Sequence, residues 1–216
     1  MQIINFLNNP NIGLFFFIND KIGLVPTQTP EHIIKLFKDV LKVKVFTINF
    51  YNSILNNIFI NGNNTTLLIP DIVTKEELKI LKSTKMKLVI IKSKLNALGN
   101  NMIIKGKKAY INPKYNDSVV KQLEENGFKV KKGTIDDKGI VGANIVIFKK
   151  KALINPDVKG NEIDDIESFF KIECHPGTVN NRSNIVKGGI IYNKNEVLIS
   201  KLTTGPEMME IEGLLK

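Results

Sequence analysis

Ala152-Leu153-Ile154-Asn155-Pro156 is the stretch that decides the fold, because the chain carries four variants of it elsewhere. The variants are Ile22-Gly23-Leu24-Val25-Pro26, Thr66-Leu67-Leu68-Ile69-Pro70, Ala109-Tyr110-Ile111-Asn112-Pro113 and Glu196-Val197-Leu198-Ile199-Ser200. In chain order, the last residues of the five copies follow one another at intervals of 44, 43, 43 and 44 residues. Self-similarity at such a constant period indicates one supersecondary unit repeated five times.

The sequence around each copy predicts two strands, a helix and a third strand. In the second unit, the polar stretch Gly62-Asn63-Asn64 separates two short apolar runs, a pattern typical of a β-hairpin. Thr74-Lys75-Glu76-Glu77 then predicts the capping box of a helix, in which the Thr hydroxyl and the Glu carboxylate each pair with a free backbone N–H. Leu88–Lys92 is predicted as the third strand. The helix of the fourth unit is expected to begin after Asn161.

The last unit ends with its helix, and a strand at Gln2–Phe6 is left over at the opposite end of the chain. We therefore predict that this strand completes the fifth unit and closes the units into a ring that has no open sheet edge. The expected fold is α/β, a five-fold pseudosymmetric β/α propeller of five β-β-α-β repeats in one domain, residues 1–216. The predicted repeats are approximately 7–53, 54–97, 98–140, 141–184 and 185–216 together with 1–6.

Composition narrows the class of protein. The 216 residues are 43% hydrophobic and 24% charged, which is typical of a globular protein. The longest apolar run, Ile12 to Ile18, is too short to cross a bilayer, so we expect no membrane association and a cytoplasmic location. A formal net charge of +10 favours an anionic partner such as nucleic acid, although only Arg182 among the 31 basic residues is an arginine.

The residues that carry out catalysis in most enzymes are scarce here. Cys174 is the single cysteine, and the two histidines are His32 and His175. Adjacent residues on a strand point to opposite faces, so Cys174 and His175 are not expected to share a proton. No phosphate-binding loop, paired-histidine motif or serine nucleophile elbow is present. We expect no catalytic residues, no cofactor and no metal site.

Five short motifs spread over the chain resemble those of eukaryotic and archaeal translation initiation factor 6, the family of ribosome anti-association factors. They are Asn11-Ile12-Gly13, Leu67-Leu68-Ile69-Pro70, Ala97-Leu98-Gly99-Asn100, Gly177-Thr178-Val179-Asn180 and Thr203-Thr204-Gly205-Pro206-Glu207. The resemblance implies the pentein fold, a five-fold β/α ring, which agrees with the repeat period. It also implies a monomer that binds the intersubunit face of the large ribosomal subunit, through a ribosomal protein beside the sarcin–ricin loop and through rRNA.

The resemblance also implies a role and an interface. Members of the family block joining of the small subunit and, in eukaryotes, accompany maturation of the large one. Their contact surface includes the hairpin tips of the second and third units. The corresponding ribosome-binding candidates in this chain are Asn63, Asn64, Lys105, Gly106, Lys107 and Lys108.

Two alternatives stay open at this point. A closed ring of β-β-α-β units is also the fold of guanidine-modifying hydrolases and amidinotransferases, which attack a guanidinium carbon with a cysteine thiolate assisted by a histidine. The lysine content on its own favours a general basic RNA-binding protein.

Overall fold

The computed structural model describes all 216 residues and contains fifteen strands in five three-stranded sheets. The strands are β1 (Gln2–Ile4), β2 (Phe17–Ile18), β3 (Ile22–Val25), β4 (Lys44–Thr47), β5 (Asn61–Gly62), β6 (Thr66–Pro70), β7 (Lys87–Ile91), β8 (Met102–Lys105), β9 (Lys108–Ile111), β10 (Lys129–Lys132), β11 (Ile145–Phe148), β12 (Lys151–Ile154), β13 (Glu173–Pro176), β14 (Ile190–Tyr192) and β15 (Val197–Ser200). The five repeated motifs form the middle strands β3, β6, β9, β12 and β15.

Each sheet has the same pairing. An antiparallel hairpin supplies the inner and middle strands, and a third strand pairs in parallel with the middle one. A parallel partner requires a long crossover, and in four units a helix provides it. This topology confirms the predicted β-β-α-β unit, while the exact repeat boundaries stay a prediction.

Seven segments are α-helical, and four of them are long enough to serve as packing elements. The helices are α1 (Glu31–Leu36), α2 (Asn56–Phe59), α3 (Lys75–Ser83), α4 (Leu98–Asn101), α5 (Asp117–Glu125), α6 (Gly160–Phe170) and α7 (Gly205–Leu215). A π-helical turn at Phe37–Leu41 continues α1, so the two together form the first crossover. None of the helices is long and apolar enough to cross a membrane.

The two predicted helix starts have different outcomes. Thr74 and Glu77 form the predicted capping box at the start of α3. The prediction that α6 begins after Asn161 is wrong: the cap is Lys159, and its backbone N–H donates to Glu162 at 3.0 Å. The start of this helix is set by the Glu162 carboxylate, which accepts a main-chain N–H, and not by an Asn side chain. The helix therefore begins two residues earlier than predicted.

Closure of the ring is confirmed. Strand β1 pairs in parallel with β15, with Gln2 opposite Leu198 and Ile4 opposite Ser200. The fifth sheet is therefore built from the two ends of the described chain. The strand stops at Ile4, two residues before the predicted end, because Phe6 turns back to form a bridge with Asn9.

The hydrophobic core is divided into five clusters, one at each junction between neighbouring units. At the junction of units 1 and 2, Leu24 from the first sheet packs with Leu67 and with Leu81 of α3. At the junction of units 5 and 1, Ile4 packs with Phe37 of the first crossover. The crossover helix of each unit thus covers the sheet of the unit before it, so no unit buries its apolar face alone.

Five short helical turns meet at the ring axis. They are Ile12–Leu14, α2, α4, Val141–Ala143 and Val186–Gly189, and each lies just before the inner strand of its unit. Several of the contacts leave no room for a side chain, among them those at Gly13, Gly99 and Gly142. A Cβ at Gly13 would lie 1.9 Å from the Lys187 backbone oxygen, and one at Gly99 would lie 1.8 Å from the Asn57 backbone oxygen. These glycines allow the backbones to approach closely enough to close the centre of the ring.

Candidate binding surface

The five hairpin tips form one rim around the ring, because every inner strand runs from the axial turns towards its tip. Tips 1 to 5 are residues 19–21, 63–65, 106–107, 149–150 and 193–196. Tips 1, 2 and 5 begin with Asn19, Asn63 and Asn193. The Oδ1 atom of each accepts two backbone N–H groups of its own turn, such as those of Thr65 and Thr66 for Asn63.

The same asparagines link neighbouring tips through their Nδ2 atoms. Asn19 donates to the backbone oxygen of Asn63 at 2.9 Å, and Asn63 donates to that of Gly106 at 2.7 Å. Asn193 joins tip 5 to tip 1 by donating to the Asn19 backbone oxygen at 3.2 Å. Between tips 3 and 4, the Lys105 ammonium donates to the Lys149 backbone oxygen at 2.7 Å. Four of the five junctions in the rim are therefore hydrogen-bonded.

The fifth junction has a groove instead. Between tips 4 and 5 lies an open volume of about 450 Å³, which we call the 4–5 groove. Five lysines line it, and Glu196 is its one acidic side chain: the lysines are Lys149, Lys150, Lys151, Lys194 and Lys216. Lys151 donates to the backbone oxygen of Gly213 near the end of α7 at 3.3 Å. The ammonium groups of the other four have no hydrogen-bond or ion-pair partner in the structure.

The predicted interface residues are brought together, but most of them are already engaged within the protein. Asn64 exchanges hydrogen bonds with Asp20 across tips 1 and 2. Lys108 donates to the Phe169 backbone oxygen at 2.5 Å and so caps the carboxyl end of α6 from the neighbouring unit. Lys107 is exposed and its ammonium makes no hydrogen bond or ion pair, so it is the charged side chain of the set that is free to meet a partner.

Comparison with known proteins identifies the family. A sequence model of the eIF-6 family matches residues 1–214. The chain belongs to the eIF-6 family. Translation initiation factor 6 of Saccharolobus islandicus is 29% identical over 223 residues, which cover 100% of this chain and 98% of the relative. The proteins of the same name from Pyrobaculum aerophilum and Pyrococcus abyssi are each 28% identical, over 98% and 100% of this chain and 97% and 98% of theirs.

The fold of this eIF-6 family protein is shared with solved enzymes. A dimethylarginine dimethylaminohydrolase, solved as an adduct with S-methyl-L-thiocitrulline, superposes with a TM-score of 0.58 at 12% identity, covering 86% of this chain and 76% of that one. The Pseudomonas aeruginosa enzyme, solved with citrulline, gives a TM-score of 0.51 at 6% identity, with coverages of 77% and 68%. Both are penteins, which confirms the predicted fold class. At such low sequence identities the similarity shows the fold alone and says nothing about activity.

The cysteine and histidines of this eIF-6 family chain are not assembled for nucleophilic catalysis. Cys174 is buried in β13, and burial, with a smaller effect from the Glu167 carboxylate, raises the pKa of its thiol to about 12. A thiol with such a pKa is almost wholly protonated at neutral pH and is a poor nucleophile. His175 follows it on the strand and lies 3.2 Å from Glu173, while His32 is exposed on α1. The structure contains no group of three His, Cys, Asp or Glu side chains placed to hold a metal ion.

Three buried glutamates hold the helix starts of their units in place, and the role of Glu162 among them was not predicted from the sequence. Glu77, Glu162 and Glu207 lie in the first turns of α3, α6 and α7. Each also accepts backbone N–H groups from the preceding left-handed turn, such as those of Asn181 and Arg182 for Glu207. These side chains fix the geometry of the connection between units.

Proposed function

We propose that this protein is a translation initiation factor that binds the large ribosomal subunit and prevents the small subunit from joining it. The match to the eIF-6 family over residues 1–214 carries this proposal. The three relatives described above bear the name translation initiation factor 6 and align over nearly their whole length. We propose a cytoplasmic location, because that is where a translation factor acts. We also propose that the protein takes part in maturation of the large subunit.

The surface we propose for this contact is the pair of joined tips 2 and 3. The 2.7 Å bond between Asn63 and Gly106 holds the two tips in one position before any partner arrives. Binding then requires little ordering of the loops, which favours affinity. Lys107 at the centre of this surface offers three N–H donors to carboxylates, backbone oxygens or phosphates of the partner. We propose a ribosomal protein as the main partner and rRNA as a second contact.

The second candidate function is a guanidine-modifying hydrolase, favoured by the shared fold with the dimethylarginine hydrolases. That chemistry requires a thiolate and a histidine at one reacting carbon. Burial of the Cys174 thiol disfavours the thiolate, and His175 lies on the opposite face of β13. We therefore propose a protein without catalytic activity. The assay that discriminates the two functions is release of citrulline from arginine derivatives, for which we expect none above background.

Sedimentation tests the leading proposal. The purified protein is mixed with large subunits, with small subunits and with bulk RNA, and each mixture is run on a sucrose gradient. We expect the protein to sediment with large subunits and not with small subunits or bulk RNA. When both subunits are mixed, the protein should reduce the amount of the joined particle. Equal association with bulk RNA or with small subunits would instead support a general RNA-binding protein and contradict the proposal.

A further inference from the structure

The ring encloses a pocket on its axis that the proposed function does not use. Its volume is about 200 Å³, and the inner strands β2, β5, β8, β11 and β14 of all five units line it. Twelve of the seventeen lining residues are hydrophobic and none is acidic, so the wall is mainly hydrocarbon. The lining residues nearest the axial turns, such as Ile145, are buried, whereas those nearer the tips, such as Ile147, are half-buried. The pocket therefore opens towards the rim of tips.

A single cation lies at the closed end of this pocket. Lys187 belongs to the axial turn Val186–Gly189 of the fifth unit, and its ammonium donates a hydrogen bond of 2.9 Å to the Gly99 backbone oxygen in the third unit. The side chain thus crosses the axis of the ring. This bond uses one of the three N–H groups, and the ammonium makes no other hydrogen bond or ion pair.

The charge of Lys187 has no partner within the pocket. No Asp, Glu or His lines the pocket, and Tyr192 on β14 is its one other titratable residue. The turns and the strand β11 that pack against Val186–Gly189 carry no titratable side chain. Burial lowers the pKa of Lys187 to about 8, so the amine is still mostly protonated at neutral pH. Lys187 is half-buried, and a cation that has lost part of its hydration without gaining an anion is in an unfavourable state that an entering anion would relieve.

We propose that the axial pocket binds a small aliphatic monocarboxylate, with its carboxylate on the Lys187 ammonium and its hydrocarbon chain against the isoleucines of the inner strands. One cation with two free N–H groups matches a singly charged carboxylate, whereas a phosphate dianion calls for more donors. The apolar wall matches a hydrocarbon body. A guanidinium or ammonium ligand is disfavoured because it would meet a like charge in a site of low polarity.

Calorimetric titration tests this site without ribosomes. Hexanoate is the probe, and hexan-1-ol and hexylamine are its neutral and cationic counterparts. At pH 6.5 we expect hexanoate to bind the wild-type protein at least tenfold more tightly than either counterpart. On raising the pH to 10, above the pKa of Lys187, hexanoate binding should weaken at least tenfold, because the ammonium is lost while the carboxylate stays charged.

Two variants locate the binding. Lys187→Met keeps the length of the side chain and removes the charge, and it should reduce hexanoate affinity at least tenfold. Lys194→Met removes an exposed lysine at tip 5 and should change nothing. Should Lys187→Met fail to fold, amide NMR of the wild-type protein still decides, with shifts expected at Gly99 and Gly142 on adding hexanoate. The proposal is overturned if hexanoate does not bind, if its affinity does not change with pH, or if its affinity is unchanged in a folded Lys187→Met protein.

Discussion

The side-chain amide of Asn63 donates a hydrogen bond of 2.7 Å to the backbone oxygen of Gly106, and this bond joins the hairpin tips of the second and third units. The two residues are 43 positions apart, the same spacing as the repeat. Equivalent positions of consecutive units thus contact each other directly, and the rim is one connected surface rather than five separate loops. An interface on tips 2 and 3 is expected to behave as a unit for the same reason.

The first prediction concerns this interface. Asn64→Glu combined with Lys107→Glu should weaken binding to the large subunit at least tenfold, a loss of about 1.4 kcal/mol, while the protein stays folded. The change reverses the charge at the free Lys107 and places a carboxylate beside Asp20. Quantitative pelleting with large subunits measures the effect, and Lys79→Glu, at an exposed position on α3, is the matched control. Wild-type affinity in the double variant would place the interface elsewhere on the ring.

The second prediction concerns the kind of partner. A plot of the logarithm of the binding constant against the logarithm of salt concentration has a slope of about −5 for roughly six phosphate contacts. If a ribosomal protein is the main contact, we expect a shallower slope. Measuring the binding constant at salt concentrations between about 50 and 200 mM gives this slope. A steeper slope that is reduced by Lys149→Glu with Lys150→Glu would show instead that the 4–5 groove binds rRNA.

The third prediction concerns closure. Removing residues 1–6 deletes β1 and takes Ile4 and Phe6 out of the cluster that covers the first crossover helix. Burial of two such side chains is worth about 3–6 kcal/mol, a large part of a typical stability of about 5–15 kcal/mol. We expect aggregation or severe destabilisation in urea unfolding. Ile4→Ala should cost about 2–5 kcal/mol. Ile3→Ala should cost much less, because Ile3 is 57% exposed. Unchanged stability of the truncated protein would contradict this role of β1.

The fourth prediction concerns Glu207 and acid pH. Burial raises the pKa of this carboxyl, but the hydrogen bonds that it accepts, among them those from Thr204 and Arg182, outweigh burial and leave the pKa below its usual value. A carboxyl with a lowered folded-state pKa stabilises the protein above the unfolded-state pKa, and this contribution is lost as pH falls through the folded-state pKa. Glu207→Gln should therefore destabilise the protein by about 1–3 kcal/mol at pH 7.

Thermal unfolding of both proteins between pH 7 and pH 3 checks this expectation. The stability difference between wild type and Glu207→Gln should shrink towards the acid end. Glu212→Gln, at an exposed position on the same helix, serves as the control and should change little. A difference that stayed constant down to pH 3 would mean that the charge on Glu207 is not what stabilises the turn.

The fifth prediction concerns Lys187 and alkaline pH. Because burial lowers its pKa to about 8, the unfolded chain binds more protons than the folded protein between about pH 8 and the ordinary lysine value. Stability therefore gains a contribution that rises with pH across this window, by at most about 3 kcal/mol. Lys187→Met should be more stable than wild type at pH 7, with the gap closing by pH 10. A constant gap in urea unfolding would show that the amine titrates normally.

The repeat made most of the fold predictable, because hydrophobic runs and caps recur at nearly constant spacing. The Thr74 capping box and the pairing of β1 with β15 both follow from that pattern. The four-residue helices α2 and α4 were not predicted, because a single turn shows no helical periodicity.

The candidate site was less accessible from the sequence. Lys107 and Lys108 are neighbours of the same type, yet one is free and the other caps α6, a helix that begins over 50 residues later in the chain. The crossing of the axis by Lys187 and the gap between tips 4 and 5 depend on how five units close around a centre. Contacts of this kind are set by the ring as a whole and have no local sequence signal.

The pairing of β1 with β15 also determines when the ring can finish folding. The partner of Gln2 is Leu198, 196 positions later in the chain, so β1 has no strand to pair with until β15 has been made. Loop closure over such a distance raises the contact order and slows the final step. Until then, the apolar side of the first crossover helix is uncovered and open to association with other chains. A chain in which β1 is still unpaired is therefore expected to aggregate more readily than the closed ring.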